Sequence, residues 1–559
     1  EITTRLVGSE MCIRDRYNYY NLSIFLSLVI LTFILFLFQC TNAIFYLFHI
    51  MTDNLLTFDY LSVIIKKRFK INEDALTTLV SASFFIFTYQ MTTVKAIEWR
   101  DIMSNHSNYN EPSQWNSRFG YIMVAAGAAI GLGNIWKFPY LAYRGGGGIF
   151  LIVYIIIIAL MAHPMVEMET AIGRHGKSDT VTVFEKINKK WGFVGWIANL
   201  CTLLVNMYYV VVGGWILKYA VQFMISGDFG DDVTVYYNNF ISKPVEPLIW
   251  AGILLAFVSI MLLFGITNFV EKITKVIMPA LFVLLIVCGV YACVSMDGAV
   301  EGLKYYLLPN PKDFSIKVFA DAATQVLFSV GIGWGIYATL GANIPEKNNL
   351  KKDAILVSVC DTAAAIVAGF VVIPVAYGAG VDLQAGPRLL FEVMAGIFRS
   401  FPGGRVLGSF FFLAVIFAVV SSLFTFLEII IKTFDEKLGL GRKKGVVVVS
   451  LITFAGNILV SLGFGKLSNF KLPWPSFSGV SMYGLFDWFD CLSGYVLMPL
   501  GCLLTCFFVA KVWGFKDYEK ELFANGRDGK LRKFDKILIQ FVVPIFMIII
   551  LLNVFGIIK

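Results

Sequence analysis

Apolar and polar positions along the chain fall into long blocks rather than the short alternations of a water-soluble fold. From Trp115 onward, apolar stretches recur that are each about twenty residues long, roughly the length needed to cross a bilayer as a helix. Eleven such segments are expected, at residues 118–141, 147–171, 191–225, 247–267, 268–294, 316–340, 354–380, 406–434, 446–462, 487–512 and 537–558. Short polar connections separate them. The pattern predicts an all-α polytopic membrane protein.

Two of these segments are irregular. The first contains AAGAAIGLGN at 125–134 and the sixth SVGIGWG at 329–335, placing glycines where a lipid-facing helix would carry leucine. Each glycine costs a helix about 1 kcal/mol relative to alanine, so such clusters favour local unwinding. Close helix packing through small residues is the plainer reading of the same composition. The spacing favours the first reading, because segments one and six each open a block of five. That arrangement predicts two inverted five-helix repeats with broken first and sixth helices, plus one C-terminal helix, with the breaks meeting near the membrane midplane. Unwound backbone is tolerated there only where it is buried in protein or lines a cavity. Half-helix C-terminal ends present negative dipole to a cation, and N-terminal ends present positive dipole to a carboxylate. Such a site suits a sodium ion and a zwitterion.

Composition agrees with the membrane reading. Apolar residues make up 58% of the 559 positions and charged residues 15%, against roughly 45–50% and 25% in soluble domains. The formal charge of +8 is a matter of topology, not of nucleic-acid binding. Basic residues gather in alternate connections, at 174–190, 346–352, 432–444 and 511–536, while 228–232 is acidic. By the positive-inside rule the basic connections are cytoplasmic. The N-terminus then lies inside and, with an odd number of spans, Lys559 lies outside. Most of the nine cysteines, such as Cys288, Cys293, Cys502 and Cys506, fall in apolar spans and read as small buried hydrophobes. The four histidines, His49, His106, His163 and His175, have no metal-ligand spacing.

Residues 1–102 differ in character. The opening stretch resembles translated non-coding sequence, followed by a region rich in Ile, Phe, Asn, Lys and Tyr with one apolar span at 22–50. A gene-calling artefact, an extra anchor and a signal sequence are the three readings. The apolar run is too long and too far from the end for a typical signal peptide. The artefact reading is favoured, with Met103 as the expected start and 103–559 as the membrane domain.

From Trp115 to the C-terminus the chain resembles the neurotransmitter:sodium symporter family, and within it the bacterial amino-acid branch. The motifs are WNSR at 115–118, GLGNIWKFP at 131–139, GGGG at 145–148, MYYV at 207–210 and QVLFSVGIGWG at 325–335. The resemblance implies sodium-coupled uptake of an amino acid by alternating access in a plasma (inner) membrane, with no enzymatic activity. It places one sodium ion on the Ala129 carbonyl, Asn134, Ser329, Asp361 and the substrate's carboxylate. It places a second on the carbonyls of Gly127, Ile130 and Ala418 and the hydroxyls of Ser421 and Ser422. Both are all-oxygen sets, suited to an alkali cation and poor for a transition metal.

The substrate is expected beside Ala129 and Ser329, among the first, third, sixth and eighth segments. Tyr209 would hold its carboxylate and Phe328 would cover it. Val205, Gly331, Trp334, Ser422 and Phe426 would shape the side-chain pocket. Gly131, where monoamine carriers of the family have Asp, leaves room for a substrate that brings its own carboxylate, which favours an amino acid. Apolar and aromatic walls suit a neutral, hydrophobic or aromatic side chain.

The sequence departs from the family pattern at three points. Lys137 stands at the outer-gate arginine position, opposite a carboxylate expected at Asp490. Lysine can pair there but cannot make arginine's planar two-pronged contact. At the inner gate Trp115 matches, whereas Pro112 replaces a basic residue of some relatives. Asp361 stands where chloride-dependent relatives have Asn, so a fixed carboxylate would replace chloride and transport would not require it; a neutral, hydrogen-bonded acid is the alternative.

Rival functions are a membrane enzyme, a sodium-gated channel and an amino-acid sensor on the same fold. An enzyme needs a His/Cys or paired-carboxylate cluster at an interface, which the scattered histidines do not provide. A channel would pass current far in excess of substrate flux, and a sensor would bind without accumulating.

Overall fold

The computed structural model describes residues 114–557, apart from 382, 384–385, 401–402, 477–478 and 525–528. Residues 1–102, the start expected at Met103 and the Pro112 position lie outside the described residues. The first segment is α1 (Arg118–Ala129) and α2 (Gly133–Arg144), bent by 58° at the break between them. Five-segment blocks follow as expected. The first is completed by α3 (Gly148–Gly176), α4 (Lys189–Ile225), α5 (Glu246–Leu263) and α6 (Glu271–Val294). The sixth segment is α7 (Ile316–Val330) and α8 (Ile336–Gly341). The second block continues through α9 (Leu350–Gly378), α10 (Gly404–Lys437), α11 (Arg442–Leu462) and α12 (Leu485–Trp513). A short amphipathic helix, α13 (Phe515–Leu522), then leads to the last span, α14 (Lys533–Val554). This is the architecture of two inverted repeats plus one C-terminal helix.

Local chemistry sets the helix starts. Ser117 caps α1 by accepting from Gly120 N–H, Ser315 caps α7 from Val318 N–H, and Asn349 caps α9 from Lys352 N–H. Each satisfies an amide left over at a helix start. One feature departs from the all-helical expectation. Between α11 and α12 the connection folds into an antiparallel pair, β1 (Leu472–Ser476) and β2 (Gly479–Tyr483). Pro473 and Pro475 exclude a helix interior there.

Burial separates centre from rim. Within the membrane, α10 is 89% buried while α14 is only 33% buried. Ile152, Ile155, Ile156, Val283, Val290 and Leu451 remain exposed on outer faces, as lipid contact requires. Cys201, Cys288, Cys502 and Cys506 are buried as expected, whereas Cys293 is partly exposed. At the centre, glycines allow backbones to touch. A side chain at Gly173 of α3 would meet the Ala338 carbonyl of α8 at 2.1 Å, and one at Gly341 would meet the Thr170 carbonyl at 2.6 Å. Such contact through small residues is how membrane helices gain packing energy without a hydrophobic driving force.

Candidate functional site

Both glycine clusters break the helix. In the first segment the chain leaves α1 at Ile130, whose ψ of 95° is extended. In the sixth, Gly331, Gly333 and Gly335 all take positive φ, at 70°, 86° and 78°. Residues with a Cβ avoid that region, so three glycines at alternate positions open the ladder between α7 and α8.

The freed backbone groups find side-chain partners. Asn134 Oδ1 accepts from Gly131 N–H at 3.0 Å, and Tyr209 Oη accepts from Leu132 N–H at 3.2 Å. Gln325 Nε2 donates to the Gly133 carbonyl at 2.9 Å, tying the two broken segments together. Glu169 of α3 accepts from Gly333 N–H at 2.6 Å, and Thr202 of α4 donates to the Trp334 carbonyl at 3.1 Å. None of Gln325, Glu169 and Thr202 was singled out for this role from sequence. An acid within an apolar span is itself a signal, because ionisable groups are rare there and mark functional positions.

A small hollow lies between the breaks. Ala129, Gly131, Tyr209, Phe328, Ser329, Gly331, Trp334 and Phe426 line it, as expected, together with Ala128, Leu132 and Gly133. Val205 and Ser422 are buried but do not form its wall. Val205 is taken up in helix packing, and the Ser422 hydroxyl is drawn behind the wall to three carbonyls. The aromatic side is tight: the Phe426 ring lies 5.0 Å from Trp334 and 5.4 Å from Tyr209, and Phe328 lies 6.1 Å from Trp334. A Cβ at Gly131 would come within 2.7 Å of Tyr209 Oη. A side chain at that position would therefore displace the hydroxyl. Because Tyr209 Oη accepts from Leu132, its own proton remains available to a carboxylate.

Polar groups gather at two points beside the hollow. At the first, Asn134 Nδ2 donates to Asp361 Oδ1 at 2.7 Å, and Ser329 Oγ donates to the same carboxylate at 3.0 and 3.1 Å. Tyr154 of α3, a further group absent from the expected set, lies 3.3 Å from Ser329 Oγ and 3.4 Å from Asp361 Oδ2. At the second, Ser422 Oγ lies 3.1 Å from the Gly127 carbonyl, 3.2 Å from Ile130 and 3.0 Å from Ala418, with Ser421 Oγ 2.9 Å from Ala418. Both clusters are built from oxygens, as a hard alkali cation requires.

The gates differ from expectation on the outer side. Among the described residues Lys137 forms no ion pair with Asp490. Its ammonium instead approaches Tyr495 Oη at 3.3 Å and sits over the Phe328 and Tyr495 rings at 4.8 and 5.1 Å. A compact point charge without arginine's fork gains as much from ring faces as from one carboxylate. On the inner side Trp115 holds its expected place. Its indole donates to Leu340 O at 3.0 Å and its backbone N–H to Asn343 O at 3.2 Å. Lys432 of α10 reaches Asn343 Oδ1 at 3.3 Å and Glu436 at 3.9 Å. Glu271 of α6 accepts from Asn116 N–H at 2.9 Å and Ser117 Oγ at 3.1 Å, which pins the start of α1.

Comparison with known proteins follows this geometry. The sequence matches the profile of the Sodium:neurotransmitter symporter family over residues 112–229 and 244–559. An uncharacterized sodium-dependent transporter of Bacillus subtilis is 31% identical over 462 residues, covering 80% of this chain and 99% of that protein. Human sodium- and chloride-dependent GABA transporter 2 is 26% identical over 463 residues, 73% of this chain and 74% of the transporter. In structure, the chain resembles MhsT, solved in complex with L-phenylalanine. The TM-score is 0.71 at 31% identity, covering 79% of this chain and all of that one.

Proposed function

Since the chain belongs to the sodium:neurotransmitter symporter family, we propose that it moves a small neutral amino acid, hydrophobic or aromatic in its side chain, into the cell with sodium. The location is the plasma (inner) membrane and the mechanism alternating access. The observation that carries this reading is the meeting of both helix breaks on one hollow, with Tyr209 and the Asn134–Asp361–Ser329 cluster at its polar side and Phe328, Trp334 and Phe426 at its apolar side. The bound L-phenylalanine of MhsT supports the amino-acid class.

Sodium enters as cargo. One ion would take Ala129 O, Asn134, Ser329, Asp361 and the substrate carboxylate; the other would take Gly127 O, Ile130 O, Ala418 O, Ser421 and Ser422. The first site includes an atom of the substrate, so ion and amino acid bind better together than apart. Asp361 supplies a fixed negative charge next to the ion, and transport is proposed to run without chloride. Each positive charge moved inward across about 100 mV releases about 2.3 kcal/mol. Two ions with a neutral zwitterion thus supply about 4.6 kcal/mol, enough for roughly thousandfold accumulation at 1.4 kcal/mol per decade.

The test is a thermal-shift screen of the common amino acids in detergent, with sodium against potassium. A neutral hydrophobic or aromatic amino acid should raise the melting temperature in sodium only. Stabilisation that is equal in both salts would reject the coupling. Binding without accumulation in proteoliposomes would mark a sensor instead.

A further inference from the structure

Helix α3 carries two carboxylates back to back. Glu169 faces the break in the sixth segment and is accounted for by Gly333. Glu167, two residues earlier and so on the other side of the helix, is buried within the same span and plays no part in the site described above. An ionisable group in that position carries a large desolvation cost and marks function unless it is fully paired.

Its partners form a cluster of their own. One turn away, His163 Nε2 lies 3.6 Å from Glu167 Oε2, and His163 Nδ1 is buried with no partner among the described residues. The Tyr518 hydroxyl of α13 donates to Glu167 Oε1 at 2.8 Å. Two further charges act on the pair, Lys351 at the start of α9 and Asp535 at the start of α14. These are bonded to each other at 2.7 Å. On the neighbouring α12, Cys506 faces Met165. The charge count decides the matter. Lys351 and Asp535 cancel, leaving Glu167 as one uncompensated negative charge beside a neutral imidazole. One proton brings the cluster to zero, which is what a low-dielectric interior favours.

We propose that His163 and Glu167 together form a proton-binding site reached from the cytoplasm. Access runs beneath α13, which belongs to the basic, cytoplasmic connection between α12 and α14. This helix is seated on α3 at two places. Tyr518 holds Glu167, and Glu521 meets Arg174 at 2.6 Å and His175 at 3.1 Å. Burial raises the Glu521 carboxyl, but hydrogen bonds from His175 and Arg174 outweigh it and hold the group below its ordinary value. Glu521 therefore stays charged, and Glu167 is the half of the seat that titrates. With Glu167 ionised, Tyr518 makes a charge-assisted bond; with the proton bound, it makes an ordinary one. Acid inside thus loosens α13 from α3, the helix that packs directly on α8. Release of α8 is needed for inward opening if the proposed transport function holds, so uptake should rise as internal pH falls.

The experiment uses the full chain in proteoliposomes, with sodium-driven uptake of the amino acid selected by the thermal-shift screen. External pH is fixed and internal pH varied from about 8 to about 6, the range around an unperturbed imidazole. The expected rise is about fivefold, the difference between a charged and a neutral hydrogen bond. Glu167→Gln should be insensitive to internal pH and fixed at the fast level, and Tyr518→Phe should also be fast throughout. Uptake by the unaltered chain that does not vary with internal pH, or a wild-type response in Glu167→Gln, would overturn the proposal. Were no uptake seen at any pH, the transport reading would fail separately. Infrared titration of the solubilised chain still reads the site directly, through a carboxylic-acid band that Tyr518→Phe shifts and Glu167→Gln removes. Absence of any such band in the unaltered chain, across the same pH range, would overturn the proton site.

Discussion

Glu169 and Gly333 are joined by a 2.6 Å hydrogen bond from the peptide N–H in the break of the sixth segment to a carboxylate in the second. A peptide group exposed by unwinding has no water to turn to in mid-membrane, so this carboxylate takes the place of the lost helical acceptor. Glu169→Ala leaves the N–H buried and unpaired, at a cost of about 1–3 kcal/mol. Sodium-driven uptake should fall to background and the melting temperature should drop. Glu169→Gln retains an acceptor and should recover part of both. A Glu169→Ala protein as stable and active as the parent would show that the break is held by other contacts.

Ser422 is the point where three carbonyls from two helices converge. Ser422→Ala removes the hydroxyl oxygen and leaves the carbonyls in place. The sodium concentration for half-maximal stabilisation should rise about tenfold, the effect of losing one interaction of about 1.4 kcal/mol. Sodium titration by thermal shift measures it. An unchanged midpoint would remove Ser422 from the cation site.

Asp361 carries the proposal on chloride. The parent should accumulate substrate equally in chloride and in gluconate. Asp361→Asn should lose activity in gluconate and regain some in chloride, because a mobile anion can restore the missing charge. Equal uptake by this variant in chloride-free buffer would reject the role given to the carboxylate.

Lys432 links the scaffold helix α10 to Asn343, just beyond α8, and Asn343 in turn accepts from Trp115. Lys432→Met keeps the length of the side chain but not its donor. Hydrogen exchange through α1 should then quicken, and substrate binding from outside should weaken by a few fold, the worth of one buried hydrogen bond. Unaltered exchange in α1 would place the inner closure elsewhere, at Glu271 or at the Trp115 indole.

Periodicity was enough to find the spans, because a twenty-residue apolar block has few alternatives in a membrane, and the glycine spacing located both breaks. Most of the pocket could be read as well: Tyr209, Phe328, Trp334 and Phe426 face one hollow because they lie on segments whose register the motifs fix. What escaped were choices made between helices. Lys137 was expected at Asp490 and went to Tyr495, one helical turn further on, where ring faces compete with a carboxylate. Ser422 was expected at the substrate and turned to carbonyls on its other side. Glu167 and Glu169 look alike in sequence, and only the neighbours on each face of α3 tell them apart. The β1–β2 hairpin lies in a connection, where no apolar period constrains the chain.

The backbone contact of Gly173 with Ala338, and of Gly341 with Thr170, has a mechanical consequence. With no side chains between them to slide or compress, α3 and α8 have no slack, and a displacement of one must be carried by the other as a rigid lever. A single methyl at Gly341 would drive a wedge between the arms of that lever, well away from the hollow. The variant would still recognise its cargo but lose the stroke that delivers it.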